Sequence, residues 1–529
     1  MKRQTLIVWL LAAIFISSSS AQTTDPVAKK IIEIGTTDNR VMEHLDILSN
    51  RIGGRVIGSG AYEDAEKWTA SQFKKWGLEI DMDETGELPV GFNRGPWFGR
   101  MLSEDGMILH FVTPSYTAGT KGVQRGPVLL EPKTQREFDN MKGALQGAWV
   151  LISGLNTNGK PIDTSQKADE KRAKLIEENL EIEKKNAEIR RENRENRDKP
   201  EAQKELIPLK EEPALFYKQM KEAGILGIIQ AARVPLRATR DTESILNMTW
   251  DTLPTVPDIK LDRHQYEIIK QKVEERRYFL LEFDIRNHFR MGPVKYHNVI
   301  GVIRGTEFPD EYVIVSGHLD AYDVATGGVD CGVGVTNAME AARLIMKAGG
   351  RPKRTMLFIL FAGEEFGLFG SKSWVERNPE KLEKISNMFN RDGGPSCPTG
   401  IRVTEAMRAD IEKICAPING INPEFPFEIL EREPRELPKR ASGTDSGPYA
   451  VKGVPTMGIE GAYPRGDNFS YGEIWHTERD LYNKMIPDYQ KHSAVVTAVI
   501  AYGVANLDHL LSREGYYIVT SEKEEDKKK

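Results

Sequence analysis

Three short apolar runs in the second half of the chain, at 299–303, 312–316 and 355–361, alternate with stretches of helical character at 337–347 and 367–376. Runs of that length, rich in Val, Ile and Phe, read as strands buried on both faces. Strands alternating with helices build a mixed, mostly parallel sheet covered by helices, an α/β fold. The strand ends carry the chemistry. Val313-Ile314-Val315-Ser316-Gly317 leads into His318-Leu319-Asp320, and the run at 355–361 leads through Ala362-Gly363 into Glu364-Glu365. Sites in open α/β sheets form beyond the carboxyl ends of strands. His318, Asp320, Glu364 and Glu365 should therefore converge although they are distant in sequence. Asp330 sits in a glycine-rich loop just before a helix, Asp392 follows the short apolar run Met388-Phe389-Asn390, and His476 lies in Ile474-Trp475-His476-Thr477-Glu478.

Two imidazoles and several carboxylates form a donor set of the kind zinc uses. Carboxylates gathered in a cleft with no Lys or Arg among them repel one another, and bound cations offset that repulsion. Two adjacent ions can share a bridging carboxylate and an activated water. Taken singly, each residue has a plainer reading, since Glu-Glu after a strand can cap a helix and an Asp in a loop can hold a turn. The ordered set carries the expectation.

Composition narrows the classes. The 529 residues are 39% hydrophobic and 29% charged, with a net charge of −5. That excludes a wholly disordered chain and a polytopic membrane protein, and nothing in the charge balance points to nucleic acid. The cysteines are Cys331, Cys397 and Cys415, too few for a disulfide framework or a cysteine zinc finger. Lys2 and Arg3 precede an apolar run at 6–16, followed by Ser17 to Ser20 and Ala21. This reads as a secretory signal peptide cleaved after Ala21, giving an exported protein, periplasmic or secreted, without a stable membrane anchor. In an oxidising compartment Cys397 and Cys415 could pair, leaving Cys331 buried.

The N-terminal part to Leu78 has helical periodicity, interrupted by the glycine-rich turn at 51–60. Short strands are expected at 126–130, 148–152 and 225–229, with a helix at 215–223. Between them, residues 167–212 are dense in both charge signs, with Leu175, Ile182 and Ile189 spaced by seven. They read as a long solvated helix or helical hairpin on the surface. The tail from Thr520 is of mixed charge and expected to fray. Asn247-Met248-Thr249 and Asn468-Phe469-Ser470 match glycosylation sequons.

Taken together, the segments Ser316-Gly317-His318-Leu319-Asp320, Thr326-Gly327-Gly328-Val329-Asp330, Phe361-Ala362-Gly363-Glu364-Glu365-Phe366-Gly367, Asn390-Arg391-Asp392 and His476-Thr477-Glu478-Arg479-Asp480 resemble peptidase family M28, the zinc exopeptidases, and within it the carboxypeptidase Q branch. The segments at 55–60 and 73–78 fit as well. The resemblance covers most of the mature chain, apart from the charged insert and the tail. It implies the zinc-exopeptidase (phosphorylase/hydrolase-like) sheet, with an inserted, mainly-β domain resembling the protease-associated (PA) type. The implied layout is a signal peptide at 1–21, catalytic parts at 25–120 and 291–515, a PA-like insertion at 121–290 and a charged tail at 516–529.

The resemblance also implies two zinc ions per chain, a peptide substrate and, as one assembly, a homodimer. His318 and Asp392 would bind one ion, Glu365 and His476 the other, and Asp330 would bridge them. Asp320 would orient His318, and Glu364 would be the general base. Cys331 departs from the family pattern, which often has Asp or Asn there. Tyr449, Tyr463 and Tyr471 lie in the part of the chain where an oxyanion donor is expected. Two further readings share the scaffold: a non-catalytic binding protein and a glutaminyl cyclase. The retained ligand set and Glu364 weigh against the first, and the PA-like insertion weighs against the second.

Overall fold

The computed structural model describes residues 25–103, 105–240, 245–441 and 443–518. The expected signal peptide, its cleavage point at Ala21 and the tail from Thr520 lie outside them. Among the described residues, no helix is long and apolar enough to cross a membrane.

The first helix, α1 (Pro26–Thr37), starts where Asp25 accepts hydrogen bonds from the amides of Val27 and Ala28, with proline at its first position. α2 (Gly60–Lys75) is capped by the hydroxyl of Ser59, which accepts from Tyr62 N. Strand β1 (Glu79–Asn93) then enters a five-stranded sheet with β2 (His288–Ile303), β3 (Phe308–His318), β4 (Arg354–Phe361) and β5 (Ile385–Asn390). The spatial order is β1-β2-β4-β3-β5. β1 and β2 are antiparallel, as are β2 and β4, whereas β3 runs parallel to both β4 and β5. The sheet is therefore mixed, and its parallel half carries the acid-and-imidazole strand ends.

Every residue of β4 is buried, as a strand flanked on both sides and covered on both faces requires. One cover is α4 (Gly332–Lys347), buried almost throughout, with α5 (Pro487–Ala505) packed against it. Glu340, fully buried on α4, is matched by Arg343 and His44 and accepts from Arg40 N. Burial pushes its pKa up, but Arg343 and His44 outweigh that and hold it below the usual carboxylate range.

A second unit is threaded between β1 and β2. Strand Trp97–Leu102 pairs with Leu280–Ile285, which also pairs with Gln124–Gly126, all antiparallel. A five-stranded sheet joins Phe111–Val112, Asp258–Asp262, Gly227–Ala232, Trp149–Asn156 and Val128–Leu130, in parallel except for its first pair. The insertion therefore begins near Trp97, not at 121, and the chain has returned to the main sheet by His288. Sequence alone could not set that edge, because the partner that claims residues 97–102 lies almost two hundred residues downstream. Ala232, Leu236, Ala238, Ile245 and Met248 pack in the main core.

The charged insert is one long helix, α3 (Gln166–Glu195), and a return strand of chain that, after a short 3-10 turn at Pro200–Ala202, forms no regular element and no second α-helix. Asn179, Asn186 and Asn193 recur every seven residues along α3. Each side-chain amide makes two hydrogen bonds to one residue of the return strand. Asn179 donates to Lys210 O and accepts from Lys210 N, both at 2.9 Å, and Asn186 treats Ile207 the same way at 2.8 Å. Asn193 pairs with Lys204 at 2.8 and 2.9 Å. Seven helical residues advance ~10.5 Å, and three extended residues ~10 Å, so the two registers stay in step.

At the other end, Tyr516 is fully buried and Tyr517–Ile518 pairs with Arg435–Glu436, so 516–518 belong to the folded body and not to a tail. The three cysteines are free and buried. Cys397 packs with Phe425 and Tyr489, while Cys415 lies in the main core, so the pairing allowed by sequence does not occur. Replacing Asn186 by Ala removes both bonds to Ile207. We expect a cost of about 1–3 kcal/mol and faster hydrogen exchange at the amides of Lys204, Ile207 and Lys210, with the main-sheet amides unchanged.

Candidate metal centre

β3 and β4 run in register with His318 beside Phe361, and β3 and β5 with Ser316 beside Asn390. The residues just past each of these strands therefore emerge at one edge of the sheet. His318 closes β3, Glu364 and Glu365 come after β4 beyond Gly363, which turns at φ +65°, and Asp392 comes after β5. Asp330 arrives on the loop that starts α4. Its approach depends on two glycines. A Cβ on Gly317 would lie 2.6 Å from the backbone of Gly334, and one on Gly334 would lie 2.0 Å from Arg391 O. Strand, helix and the Asp392 turn thus touch backbone to backbone.

His476 comes from a separate loop and sits at φ +58°, a conformation in which histidine is one of the more tolerated non-glycine residues. The inserted unit holds it there. Ala238 N donates to His476 O at 3.0 Å, Glu478 N donates to Leu236 O at 3.1 Å, and Arg237 bridges Thr477. The ring of Tyr322 stands edge-on to the imidazole at 4.7 Å, and the Arg237 guanidinium lies 4.6 Å over the Trp475 ring.

His318, Asp320, Asp330, Glu364, Glu365, Asp392 and His476 come together. Asp330 faces both imidazoles, with Oδ1 3.3 Å from His318 Nε2 and Oδ2 3.7 Å from His476 Nε2. Glu365 Oε2 is 2.9 Å from His476 Nε2, and Asp392 Oδ1 is 3.8 Å from His318 Nε2. Glu364 Oε2 stands 4.0 Å from His318 Nε2. The donors form two groups whose ligand atoms lie within 4.8 Å of one another: Asp330, Glu365 and His476, and His318, Asp392 and Cys331. His318 Nε2 and Asp330 Oδ2 are buried without a hydrogen-bond partner, an expensive condition that a bound cation would relieve.

Asp320 meets His318 through its backbone. His318 Nδ1 lies 3.0 Å from the main-chain oxygen of Asp320, and the carboxylate stands back at 3.7 Å. That carboxylate instead accepts from Glu364 N at 3.1 Å and Glu365 N at 3.2 Å. One residue thus fixes the imidazole through its backbone and the Glu-Glu turn through its side chain.

The electrostatics reflect crowding out of water. Burial, with Asp330 next to it, drives the Glu365 pKa well above the carboxylate range. Burial likewise raises Glu364, with Asp445, Glu365 and Asp392 adding to the effect against the pull of His318. For His318, burial disfavours the charged ring, but Cys331, Glu364, Asp320 and Asp330 outweigh it and hold its pKa well above the usual value. His476 moves the other way, lowered to about 4, chiefly by burial.

Several residues of the site were not legible beforehand. Asp445, fully buried beside this cluster, is raised to about 7 by burial. Asp480 accepts from Val329 N at 2.7 Å and from Asp330 N, anchoring the bridging loop. Arg55, in a glycine-rich turn, is fully buried. Its guanidinium donates to Leu319 O (2.6 Å), Thr326 O (3.1 Å), Gly53 O (3.3 Å) and Gly327 O (3.4 Å), so one cation ties down both ends of the loop from 319 to 327. Asp480 and Arg55 lie in segments that carry the resemblance, but their roles, like that of Asp445, depend on partners brought in by the fold. Of the three tyrosines, Tyr471 lines the cleft, whereas Tyr449 packs on Phe361 and Trp374 and Tyr463 stacks on Phe469. The cleft has a volume of about 610 Å³, and Leu368, Trp475, Gly443 and Thr444 complete its wall.

This gathering of carboxylates and imidazoles at strand ends is that of a metallopeptidase: residues 298–501, which carry it, match the sequence model of peptidase family M28. Over most of its length the chain is similar to carboxypeptidase Q of Mus musculus, at 24% identity across 510 residues, which cover 92% of this chain and 91% of that protein. Two solved structures share the fold. One is a peptidase M28 precursor from Shewanella amazonensis SB2B (TM-score 0.56, 18% identity, covering 92% of this chain and 97% of that one). The other is a zinc aminopeptidase from Bacillus subtilis (TM-score 0.50, 15% identity, covering 91% and 98%).

Arg55→Met leaves the carbonyls of the loop from 319 to 327 without their donor and removes a buried cation from an acidic neighbourhood. We expect a loss of about 3 kcal/mol in unfolding free energy by denaturant titration, with more weakly held metal in the folded fraction.

Proposed function

We propose that this chain is an exported, dinuclear zinc exopeptidase that hydrolyses dipeptides or short peptides. The observation that carries the reading is the bridging position of Asp330, one oxygen toward each imidazole, with Asp392 beside the first and Glu365 beside the second. Zinc fits this mixture of imidazole and carboxylate donors, and the named relatives include a carboxypeptidase and a zinc aminopeptidase. His318 and Asp392 would hold one ion, Glu365 and His476 the other, and Asp330 would be shared.

When bound, zinc would supply the positive charge that polarises the scissile carbonyl and makes the attacking water acidic. Glu364 lines the cleft beside this centre without belonging to either donor group. It takes the proton from the water and returns it to the leaving amine. The main-chain bonds from Glu364 and Glu365 to the Asp320 carboxylate keep the base and the neighbouring ligand apart. Tyr471, on the cleft wall, is the hydroxyl available to the oxygen on which negative charge develops. The small cleft suits a short peptide and leaves little room for a folded chain. The inserted unit, read as PA-like, contributes by bracing the His476 loop. Export rests on the N-terminal leader, and N-terminal sequencing of the mature protein starting after Ala21 would support it.

Purified mature protein should carry close to two zinc ions and lose dipeptide hydrolysis on chelation, with recovery when zinc is returned. Absence of bound metal would refute the ligand assignment. Glu364→Gln should keep both ions and lower kcat by about 10²–10⁴-fold. Full activity in that variant would show that another group is the base.

A further inference from the structure

The two donor groups differ in one atom type. Asp330, Glu365 and His476 offer only oxygen and nitrogen, whereas the group at His318 and Asp392 includes the thiol of Cys331. The sulfur is fully buried, and behind it pack Leu45, Val333 and Met485. Ahead of it stand His318, whose Nε2 is buried and unpartnered, and Asp392. The thiol donates to Arg391 O at 3.3 Å. Gly334 makes room for it, since a Cβ there would lie 2.5 Å from the sulfur. The cleft wall includes Asp330, Glu365, Asp392 and His476 but neither His318 nor Cys331, so this sulfur lies on the deep side of the centre.

From this placement we propose that Cys331 Sγ is a ligand of the deeper metal ion, completing a set with His318, Asp392 and the near oxygen of Asp330. The proposal rests on the dinuclear reading above. The deep position then has four protein donors. The outer position keeps fewer protein donors and an open face toward the cleft, as a catalytic site requires. Binding exchanges the S–H bond for a metal–sulfur bond, and the proton leaves to solvent. A thiolate donor also biases the deep position toward zinc, cobalt and cadmium and away from magnesium, calcium and manganese.

Cobalt(II) reports on both readings at once. Metal-free full-length protein loaded with cobalt(II) should show visible ligand-field bands together with a near-ultraviolet sulfur-to-cobalt charge-transfer band. Cys331→Ser should lose the charge-transfer band completely and keep the visible bands. Visible bands without charge transfer in the unaltered protein would overturn sulfur ligation while leaving the dinuclear reading intact. A charge-transfer band that survives in Cys331→Ser would overturn it as well. No cobalt bands at all would sink the metal reading, and this proposal with it. If Cys331→Ser does not fold, X-ray absorption at the zinc edge of the unaltered protein decides the matter. A sulfur neighbour at ~2.3 Å supports the proposal and its absence overturns it.

Discussion

Like charge held out of water governs this structure. Asp320, Asp330, Glu364, Glu365, Asp392 and Asp445 converge where three strand ends and two loops meet, and none of them is more than partly exposed. Left alone, such a cluster can only take up protons or come apart. The raised pKa values of Glu364, Glu365 and Asp445 are the signature of the first outcome. Features around the cluster can be understood as measures against the second. Main-chain amides are spent on Asp320 and Asp480, the Arg55 guanidinium sits behind the loop, and the two imidazoles stand where metal cations would join them.

The outer elements matter because they supply geometry to this cluster. The Gly317–Gly334 approach puts the start of α4 against β3, which carries Asp330 to His318. Asp480 then fixes that loop, and the chain holding Asp480 also holds His476. The inserted unit pairs its backbone with residues 476–478, so it is part of the support of a ligand and not a separate appendage. A disturbance in residues 236–240 therefore reaches the centre through two main-chain hydrogen bonds.

How far this could be read beforehand differed by residue. The strand-end rule could bring His318, Asp320, Glu364 and Glu365 to one edge of the sheet, because β3 and β4 are local, apolar and parallel where they pair. A residue name does not say whether the carboxylate or the carbonyl of Asp320 makes the contact to His318, and here the carbonyl is the nearer. The edge of the insertion was misplaced because strand Trp97–Leu102 is defined by a partner at Leu280–Ile285. Arg55, Asp445 and Asp480 were invisible as site residues, since an isolated charged residue has no periodicity. In the charged insert, attention to apolar spacing found the helix and missed the return strand. The deciding signal was polar, in Asn179, Asn186 and Asn193.

That asparagine ladder gives the arm a unit of length. Each rung joins seven residues of helix to three of extended chain, and each is satisfied within itself. The arm can therefore grow or shrink only in whole rungs, by ten residues taken together from two places in the sequence. A deletion confined to one side puts every rung beyond it out of phase. Length variation in this segment is accordingly a paired event, in which an insertion in the helix is tolerated only with a matching insertion in the strand that faces it.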